Sequence, residues 1–372
     1  MKKCLLIFAI FLTGSLYAQP GNEQVKLNDP TQLVADSRDN LFVMLKYGIG
    51  KISPDGKVTD LRKLDGGGNI DKAFNNLIID SKNNLFASYG SNIYKITVTN
   101  DNKVISTIYS GVIGKYRIID GPVSTAIFTQ IDHMAIDKHD NIYVTDSYDK
   151  IAAEIGNNYV TDNYYLKDKK LKYIRTFRII RKISADGTVS TLKNSEGKFI
   201  VPNGVSGMAC DEAGNIVYTT GGTARSVEKI NTATGTFSHV AGKPYKREWC
   251  PVYTTGDTSI AELFAPETIM VNKKAEIIYA DERSHRITKI ANGKVTTLAG
   301  NNTIDPCGQN IGGRAQEGLK DGKALTAWFT FPKGLAYDSR GNLFIADKWN
   351  NCIRKLSPDG MVSTFTTPNP NN

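Results

Sequence analysis

Beyond its first residues, the chain lacks any hydrophobic run long enough to span a bilayer. The apolar stretch Leu5–Leu12 is too short, and no other segment approaches the roughly 18 consecutive apolar residues that a spanning helix needs. The chain also lacks a large excess of one charge: 46 Lys and Arg against 37 Asp and Glu give a diffuse +9, which says little about partners. With 40% hydrophobic and 22% charged residues, the composition excludes a disordered or fibrous protein and predicts a folded one.

Common active-site motifs are lacking as well. The glycine-rich stretches at 65–69 and 308–322 do not complete the G-x-x-x-x-G-K-[ST] pattern of a phosphate-binding loop. The sequence GVSGM at 204–208 is not a serine nucleophile elbow, because its second glycine comes one place early. These two kinds of site are therefore excluded.

The N-terminus has the pattern of an export signal. Lys2 and Lys3 precede the apolar run, and the small residues Gly14 and Ser15 lead to an expected cut after Ala18. We therefore expect residues 1–18 to be a signal peptide and residues 19–372 to be an exported protein, periplasmic or extracellular, with no membrane span.

An internal repeat is the main signal in the sequence. Six units share an apolar strand, a five-residue turn such as DSRDN or DSRGN, a second apolar strand such as NLFVML or NLFIAD, a third strand ending in Lys-Ile or Lys-Leu, and a fourth strand. The turns are rich in Asp, Asn and Gly, which indicates hairpins. The first strands end at Asp36, Asp80, Asp137, Asp211, Asn272 and Asp338.

One antiparallel sheet cannot bury both of its faces, whereas radial repetition of sheets around a channel can. The last unit, DGKALTAWFTFPKGLAYDSRGNLFIADKWNNCIRKLSPDGMVSTFTT, closely resembles an NHL repeat. The resemblance covers about residues 30–367 and implies an all-β, single-domain, six-bladed β-propeller of four-stranded antiparallel blades. The expected blades are 30–61, 74–110, 131–192, 205–241, 266–299 and 332–367.

The two faces of such a propeller would differ. Turns between first and second strands are short and share one face, whereas the other face receives the long connections. Long loops on a rigid scaffold commonly carry binding residues, so we predict the functional surface on this second face. The long connections are 62–72, 111–126, 195–203, 242–265 and 301–330, with an insertion at 147–176.

The insertion combines tyrosines with basic residues, a mixture that can stack on sugars and pair with anions. It makes Tyr164, Tyr165, Lys170 and Tyr173 candidate ligand contacts for a glycan, a peptide or another exported protein. Nucleic acid is disfavoured by export. Equally, the segment could be a β-hairpin extension whose tyrosines pack on the fourth blade.

Four cysteines remain after signal removal, an even number in a compartment that permits disulfides. Cys250 and Cys307 lie in two consecutive long connections of the same face and are a candidate disulfide. Cys210 and Cys352 lie within strand patterns, so we expect buried free thiols.

The residues five and four places before each closing Asp or Asn are expected at the channel mouth. Among them, Asn75, Asp132, His133 and Glu267 are candidate ligand contacts. In the related peptide-amidating lyases, His after Pro holds zinc in three blades; here Asp132, Glu267 and Lys333 occupy those places, so that site is absent. Resemblance to gluconolactonase-like propellers instead implies that Asp132, Glu267 and Asn75 could hold one divalent cation such as Ca or Mg.

Taken together, these features predict an exported binding or interaction module, without a cofactor, that contacts its ligand through the long-loop face. The alternative is a divalent-metal hydrolase of lactonase type with its site at the channel mouth. Ring closure is expected by packing between the first and last blades alone.

Overall fold

The computed structural model describes residues 27–61, 73–99, 104–115, 117–147, 159–161, 178–221, 224–243, 254–301 and 317–366. Six antiparallel sheets follow one another along this part of the chain, each packed against the next around a central channel. The expected all-β, six-bladed propeller is confirmed. Within the described residues, no helix combines the length and apolar character needed to cross a membrane.

Three blades have four strands each, in sequence order from the channel outward. Blade 1 contains β1 (Gln32–Ala35), β2 (Leu41–Met44), β3 (Ile49–Ile52) and β4 (Val58–Asp60). Blade 2 contains β5 (Asn76–Ile79), β6 (Leu85–Tyr89), β7 (Asn92–Val98) and β8 (Val104–Ser110). Blade 4 contains β16 (Val205–Cys210), β17 (Ile216–Thr220), β18 (Val227–Ile230) and β19 (Phe237–Ala241).

The other three blades add a short outermost strand that the repeat did not predict; it comes from the connection preceding each blade. Blade 3 contains β9 (Gly121–Pro122), β10 (Ile131–Ile136), β11 (Ile142–Ser147), β13 (Arg178–Ile183) and β14 (Thr188–Thr191). Blade 5 contains β20 (Gly256–Asp257), β21 (Pro266–Val271), β22 (Ile277–Asp281), β23 (Arg286–Ala291) and β24 (Lys294–Ala299). Blade 6 contains β25 (Gly322–Lys323), β26 (Pro332–Tyr337), β27 (Leu343–Asp347), β28 (Cys352–Leu356) and β29 (Met361–Thr364).

Two further strands and three short 3₁₀ turns lie between these elements. β12 (Tyr159–Thr161), within the insertion, pairs in parallel with β15 (Phe199–Val201), which precedes blade 4. The 3₁₀ turns are Glu282–Ser284, Ala324–Thr326 and Lys348–Asn350.

The turn between first and second strands explains the repeated Asp and Asn. In blade 1, the Asp36 carboxylate accepts hydrogen bonds from the backbone N–H groups of Arg38 and Asn40 and from the Asn40 side chain. This closes the turn as an Asx-type hairpin. The fourth turn residue is left-handed in every blade, where Asp, Asn and Gly are favoured. These residues are Asp39, Asn83, Asp140, Gly214, Ala275 and Gly341.

The hydrophobic core consists of six clusters, one at each seam between neighbouring blades. The apolar residue of each Lys-Ile or Lys-Leu pair is buried in it, as Ile52 and Ile230 show, while the preceding Lys51 and Lys229 are partly exposed. The lysine stems therefore cover apolar surface while their charges reach solvent.

The ring closes by packing of blade 1 on blade 6, as expected. Packing does not act alone, however. Ser339 of blade 6 donates from its backbone N and its Oγ to the Asp39 carboxylate, both at 2.8 Å. Asp29 N also donates to Asn351 Oδ1 at 2.8 Å. The same serine contact joins blade 1 to blade 2 and blade 2 to blade 3, so the closing seam repeats an ordinary blade junction.

Buried acids at the ends of second strands hold the preceding connection against blades 3, 5 and 6. In blade 6, Asp347 accepts a 2.7 Å hydrogen bond from Thr330 N and pairs at 2.9 Å with Arg354, which also reaches Asp321. Arg181 plays the same part in blade 3. In blade 5, Thr288 stands on the third strand at the position where blades 3 and 6 have an arginine. Asp281, the acid of that blade, therefore lacks this guanidinium partner.

Candidate ligand-binding site at the channel mouth

A cavity of about 520 Å³ lies at the channel mouth on the long-loop face. It continues into a channel cavity of about 380 Å³ lined by the first strands of all six blades. The volume of the mouth falls within the range of roughly 300–1,000 Å³ usual for small-molecule sites. The mouth is bordered by Asp29, Thr31, Gln32, Met44, Leu45, Lys46, Phe74, Asn75, Gln130, Asp132, His133, Arg178 and Lys333.

The four candidate contacts Asn75, Asp132, His133 and Glu267 all border one of these two cavities. The structure separates the residues into two kinds, which the sequence pattern did not distinguish. Because side chains alternate along a strand, one of two adjacent residues can reach the next blade while its neighbour faces the opening.

The residues four places before the closing Asp in blades 1 to 3 bridge to the next blade. Gln32 accepts a hydrogen bond from Leu77 N at 2.7 Å and donates to Asn75 O at 3.4 Å. Asn76 donates to Asp132 O at 2.9 Å. These contacts satisfy backbone groups on the innermost strands, which have no further strand to pair with.

His133 occupies the same bridging position in blade 3. Burial, followed by the positive charge of Arg178, lowers the pKa of His133 to about 4, although a hydrogen bond to the Val205 carbonyl acts in the opposite direction. The imidazole is therefore neutral at pH 7 and holds blade 4. Its assignment as a ligand contact stays a prediction, since this structural role occupies one ring nitrogen.

Asp132 faces the mouth but is fully engaged. Arg178 Nε donates to its Oδ2 at 2.8 Å, Gln130 Nε2 donates to Oδ1 at 2.9 Å, and Ser147 adds a third side-chain hydrogen bond. Burial alone would raise the pKa of Asp132, but the hydrogen bonds and the charge of Arg178 outweigh it and hold the pKa below its usual value. The carboxylate thus orients Arg178 over the opening.

Arg178 was not identified from the sequence. It opens β13, directly after the insertion, and lies 46 positions from Asp132. Nothing in the spacing of the repeat connects the two residues. The one available signal was that a partly buried acid at the mouth needs a cationic partner.

Blades 4 and 5 lie close together beside the mouth. A Cβ at Gly207 would lie 2.2 Å from the Glu267 carbonyl oxygen, so only glycine fits, and Thr219 Oγ1 donates to the same oxygen at 2.7 Å. Burial raises the pKa of the Glu267 carboxyl, while the nearby charge of Lys333 partly opposes the rise. Lys333 makes no hydrogen bond or ion pair with the residues that the structure describes.

The donor set fits a divalent cation poorly. Both oxygens of Asp132 already accept hydrogen bonds, and the Arg178 guanidinium beside them repels a second cation. Asn75 and Glu267 remain as oxygen donors, which is few for calcium, a cation that takes six to eight oxygen ligands. No group of three or more His, Cys, Asp or Glu suited to a metal occurs within the described ranges.

Other sequence predictions fall partly or wholly outside the described residues. These include Tyr164, Tyr165, Lys170, Tyr173 and the Cys250–Cys307 disulfide. For the insertion, the parallel pairing of β12 with β15 ties part of it to the connection that enters blade 4. Cys352 is a buried free thiol within a strand, as expected, whereas Cys210 is a free thiol within a strand but only partly buried; burial raises the pKa of both.

Comparisons with known proteins agree with this architecture. The family model of the NHL repeat matches residues 329–356. One curated relative, the protein SUPPRESSOR OF QUENCHING 1, chloroplastic, of Arabidopsis thaliana, is 30% identical over 187 residues, 48% of this chain and 16% of that protein. The chain therefore spans about a sixth of that relative.

Solved structures are similar in fold. An auxiliary nutrient binding protein from Bacteroides ovatus has a TM-score of 0.59 at 15% identity, over 91% of this chain and 70% of that one. A gluconolactonase from Xanthomonas campestris has a TM-score of 0.51 at 11% identity, over 91% and 87% of the two chains. At these identities the likeness concerns the fold alone. With six radial sheets and one segment, residues 329–356, that matches the NHL repeat, the chain is a six-bladed β-propeller that contains an NHL-like repeat.

Proposed function

We propose that this protein is an exported ligand-binding propeller, without catalytic activity, that holds a small polar molecule at the channel mouth. The main observation in support of this proposal is the mouth cavity of about 520 Å³ with the polar side chains that border it. Export rests on the N-terminal pattern at residues 1–18. The fold shared with auxiliary nutrient binding proteins of Bacteroides is consistent with a binding role.

Preorganisation supports binding at this place. Gln130, Asp132 and Arg178 are held by one another, so a ligand would meet side chains that need little further ordering, which favours affinity. Thr31 and Asn75 add neutral hydrogen-bonding groups at the rim, while Met44 and Phe74 provide apolar surface. Such a mixture suits a monosaccharide-sized or dipeptide-sized molecule.

A blocking substitution tests the location. Asn75 is exposed, and its side chain makes no hydrogen bond within the described part of the chain, so Asn75→Trp should fill the mouth without unfolding the blade. The matched control is Lys82→Trp, exposed on the same blade in the turn of the opposite face. Both proteins would be screened with monosaccharides, sugar acids, sugar phosphates and dipeptides by thermal shift and calorimetric titration.

We expect ligands that stabilise the wild type to stabilise Lys82→Trp equally and to lose their effect on Asn75→Trp. Equal responses of the two variants, or no response to any compound, would contradict the proposal. Stoichiometric Ca²⁺ or Mg²⁺ binding that is lost in an Asp132→Ala/Glu267→Ala variant would instead favour the metal-dependent hydrolase. Stable capture of another exported protein by both tryptophan variants would favour an interaction module.

A further inference from the structure

The acidic and basic side chains around the mouth cavity differ in number and in how fully they are paired with described residues. Lys46, Arg178 and Lys333 border it, against the two carboxylates of Asp29 and Asp132. His133 adds no charge at neutral pH, because its pKa is about 4. The lining therefore carries a net positive charge.

Both carboxylates already have cationic partners. The Asp29 carboxylate lies 3.6 Å from Lys348 Nζ, outside the cavity lining. The Asp132 carboxylate is paired with Arg178 through Nε and also accepts from Gln130. Neither carboxylate is left to neutralise the remaining cations of the mouth.

The cations, by contrast, keep donors that no described residue uses. Arg178 is bound only through Nε, and its two terminal nitrogens make no hydrogen bond to described residues. Lys333, across the channel on blade 6, has neither a hydrogen bond nor an ion pair within the same residues, although its charge reaches both His133 and Glu267. A guanidinium fixed at Nε presents its remaining N–H groups as a fork suited to a carboxylate or phosphate.

We infer that the ligand of the channel mouth is a hydroxylated small anion whose carboxylate or phosphate group binds between Arg178 and Lys333. This inference rests on the proposed function and specifies its ligand class. The neutral groups of Thr31, Asn75 and Gln130 then face the hydroxyl groups of the same molecule. Asp132 acts as a positioning residue that aims the guanidinium.

The test uses matched probes. Glucuronate carries a carboxylate that glucose lacks, so comparing the two shows what the charge adds to binding of the sugar ring. Glucose 6-phosphate carries a phosphate in place of the carboxylate, so comparing it with glucuronate shows which anionic group is preferred. Binding of each is measured by calorimetric titration to the wild type, to Lys333→Met and to Lys323→Met. Lys323 is an exposed residue on the outermost strand of the same blade, so its variant changes the net charge equally without touching the mouth.

We expect one or both anions to bind at least about tenfold more tightly than glucose, since a charge-assisted hydrogen bond contributes that much or more. Lys333→Met should weaken anion binding about tenfold and Lys323→Met should leave it unchanged. In histidine NMR spectra, the bound anion should also raise the pKa of His133, because it offsets the charges of Arg178 and Lys333.

Two results would overturn the inference while leaving the proposed function intact. One is glucose binding as tightly as the anions and being blocked by Asn75→Trp. The other is binding of a neutral sugar or dipeptide when neither anion binds at millimolar concentration. Anion binding that Lys333→Met and Lys323→Met weaken equally would also overturn it, because attraction would then come from net charge and not from the mouth. Binding of none of the three probes would overturn the inference, and the proposed function would fall with it if the wider screen of monosaccharides, sugar acids, sugar phosphates and dipeptides also gave no response.

Discussion

The buried ion pair of blade 6 yields a quantitative prediction about the scaffold that holds the mouth. Arg354 and Asp347 are both fully buried, and Arg354 donates four hydrogen bonds: to the Trp328 and Lys320 carbonyls and to the carboxylates of Asp347 and Asp321. In Arg354→Met, the two carbonyls remain satisfied, since Trp328 and Lys320 also pair with each other through their backbones. The main cost is therefore the buried Asp347 charge without its partner.

Removing one partner of a buried ion pair typically destabilises a protein by about 3–5 kcal/mol. Burial raises the pKa of Asp347 to about 6 even beside Arg354, so without the guanidinium the pKa rises further and the carboxyl takes up a proton. Proton uptake limits the penalty, and we expect a loss of about 3 kcal/mol in unfolding free energy at pH 7. The loss should be smaller at pH 5, where Asp347 is already mostly protonated.

The assay is urea unfolding followed by circular dichroism at both pH values. Lys355→Met, the neighbouring and partly exposed residue of the same strand, should change stability by less than about 0.5 kcal/mol. An Arg354→Met/Asp347→Leu double variant should recover part of the loss, since no buried charge remains. A loss below about 1 kcal/mol in the single variant, or no recovery in the double variant, would refute this reasoning.

Three further predictions concern the mouth and the seams. Gly207→Ala places a Cβ 2.2 Å from the Glu267 carbonyl oxygen. The substitution should lower the unfolding free energy by about 1–3 kcal/mol and weaken ligand binding. Unchanged midpoints of urea unfolding would contradict this prediction. Because the folded pKa of His133 is about 4 and the ordinary value is 6.5, stability should fall as pH drops from 6.5 towards 4; His133→Asn should lack this part of the slope in urea titrations. Ser339→Ala removes one exposed bond to Asp39 at the closing seam and should cost less than about 1 kcal/mol in unfolding free energy, measured by thermal unfolding against wild type.

How far the sequence predicted the structure depends on how local each interaction is. The Asp36 turn is satisfied by Arg38 and Asn40 within five residues, so its chemistry repeats visibly in every unit. The Lys-Ile pairs likewise express strand alternation, a local property. From these signals the blade number, the strand order and the position of the channel mouth could all be predicted.

The mouth chemistry could not be predicted in the same way, because its partners are distant in sequence. Asp132 meets Arg178 across the insertion, 46 positions away. The short outer strands β9, β20 and β25 are two residues long, too short to show a period-2 pattern. Hydrogen bonds between blades, such as Ser339 to Asp39 over 300 positions, leave no spacing signal at all.

The same contrast explains why the predicted mouth residues divide into two kinds. An innermost strand has one unpaired edge, and its backbone groups near the mouth must be satisfied by side chains from a neighbouring blade. Gln32, Asn76 and His133 do this, so polar residues at that position are explained by the ring itself. The residues one place earlier in each first strand are not needed to satisfy the backbone groups of the neighbouring blade. A charged pair there, as Asp132 forms with Arg178, is not required for closure, since Thr31 and Asn75 occupy the same position without one. The excess of charge at the mouth is therefore the feature that the fold does not account for, and the proposed anionic ligand rests on it.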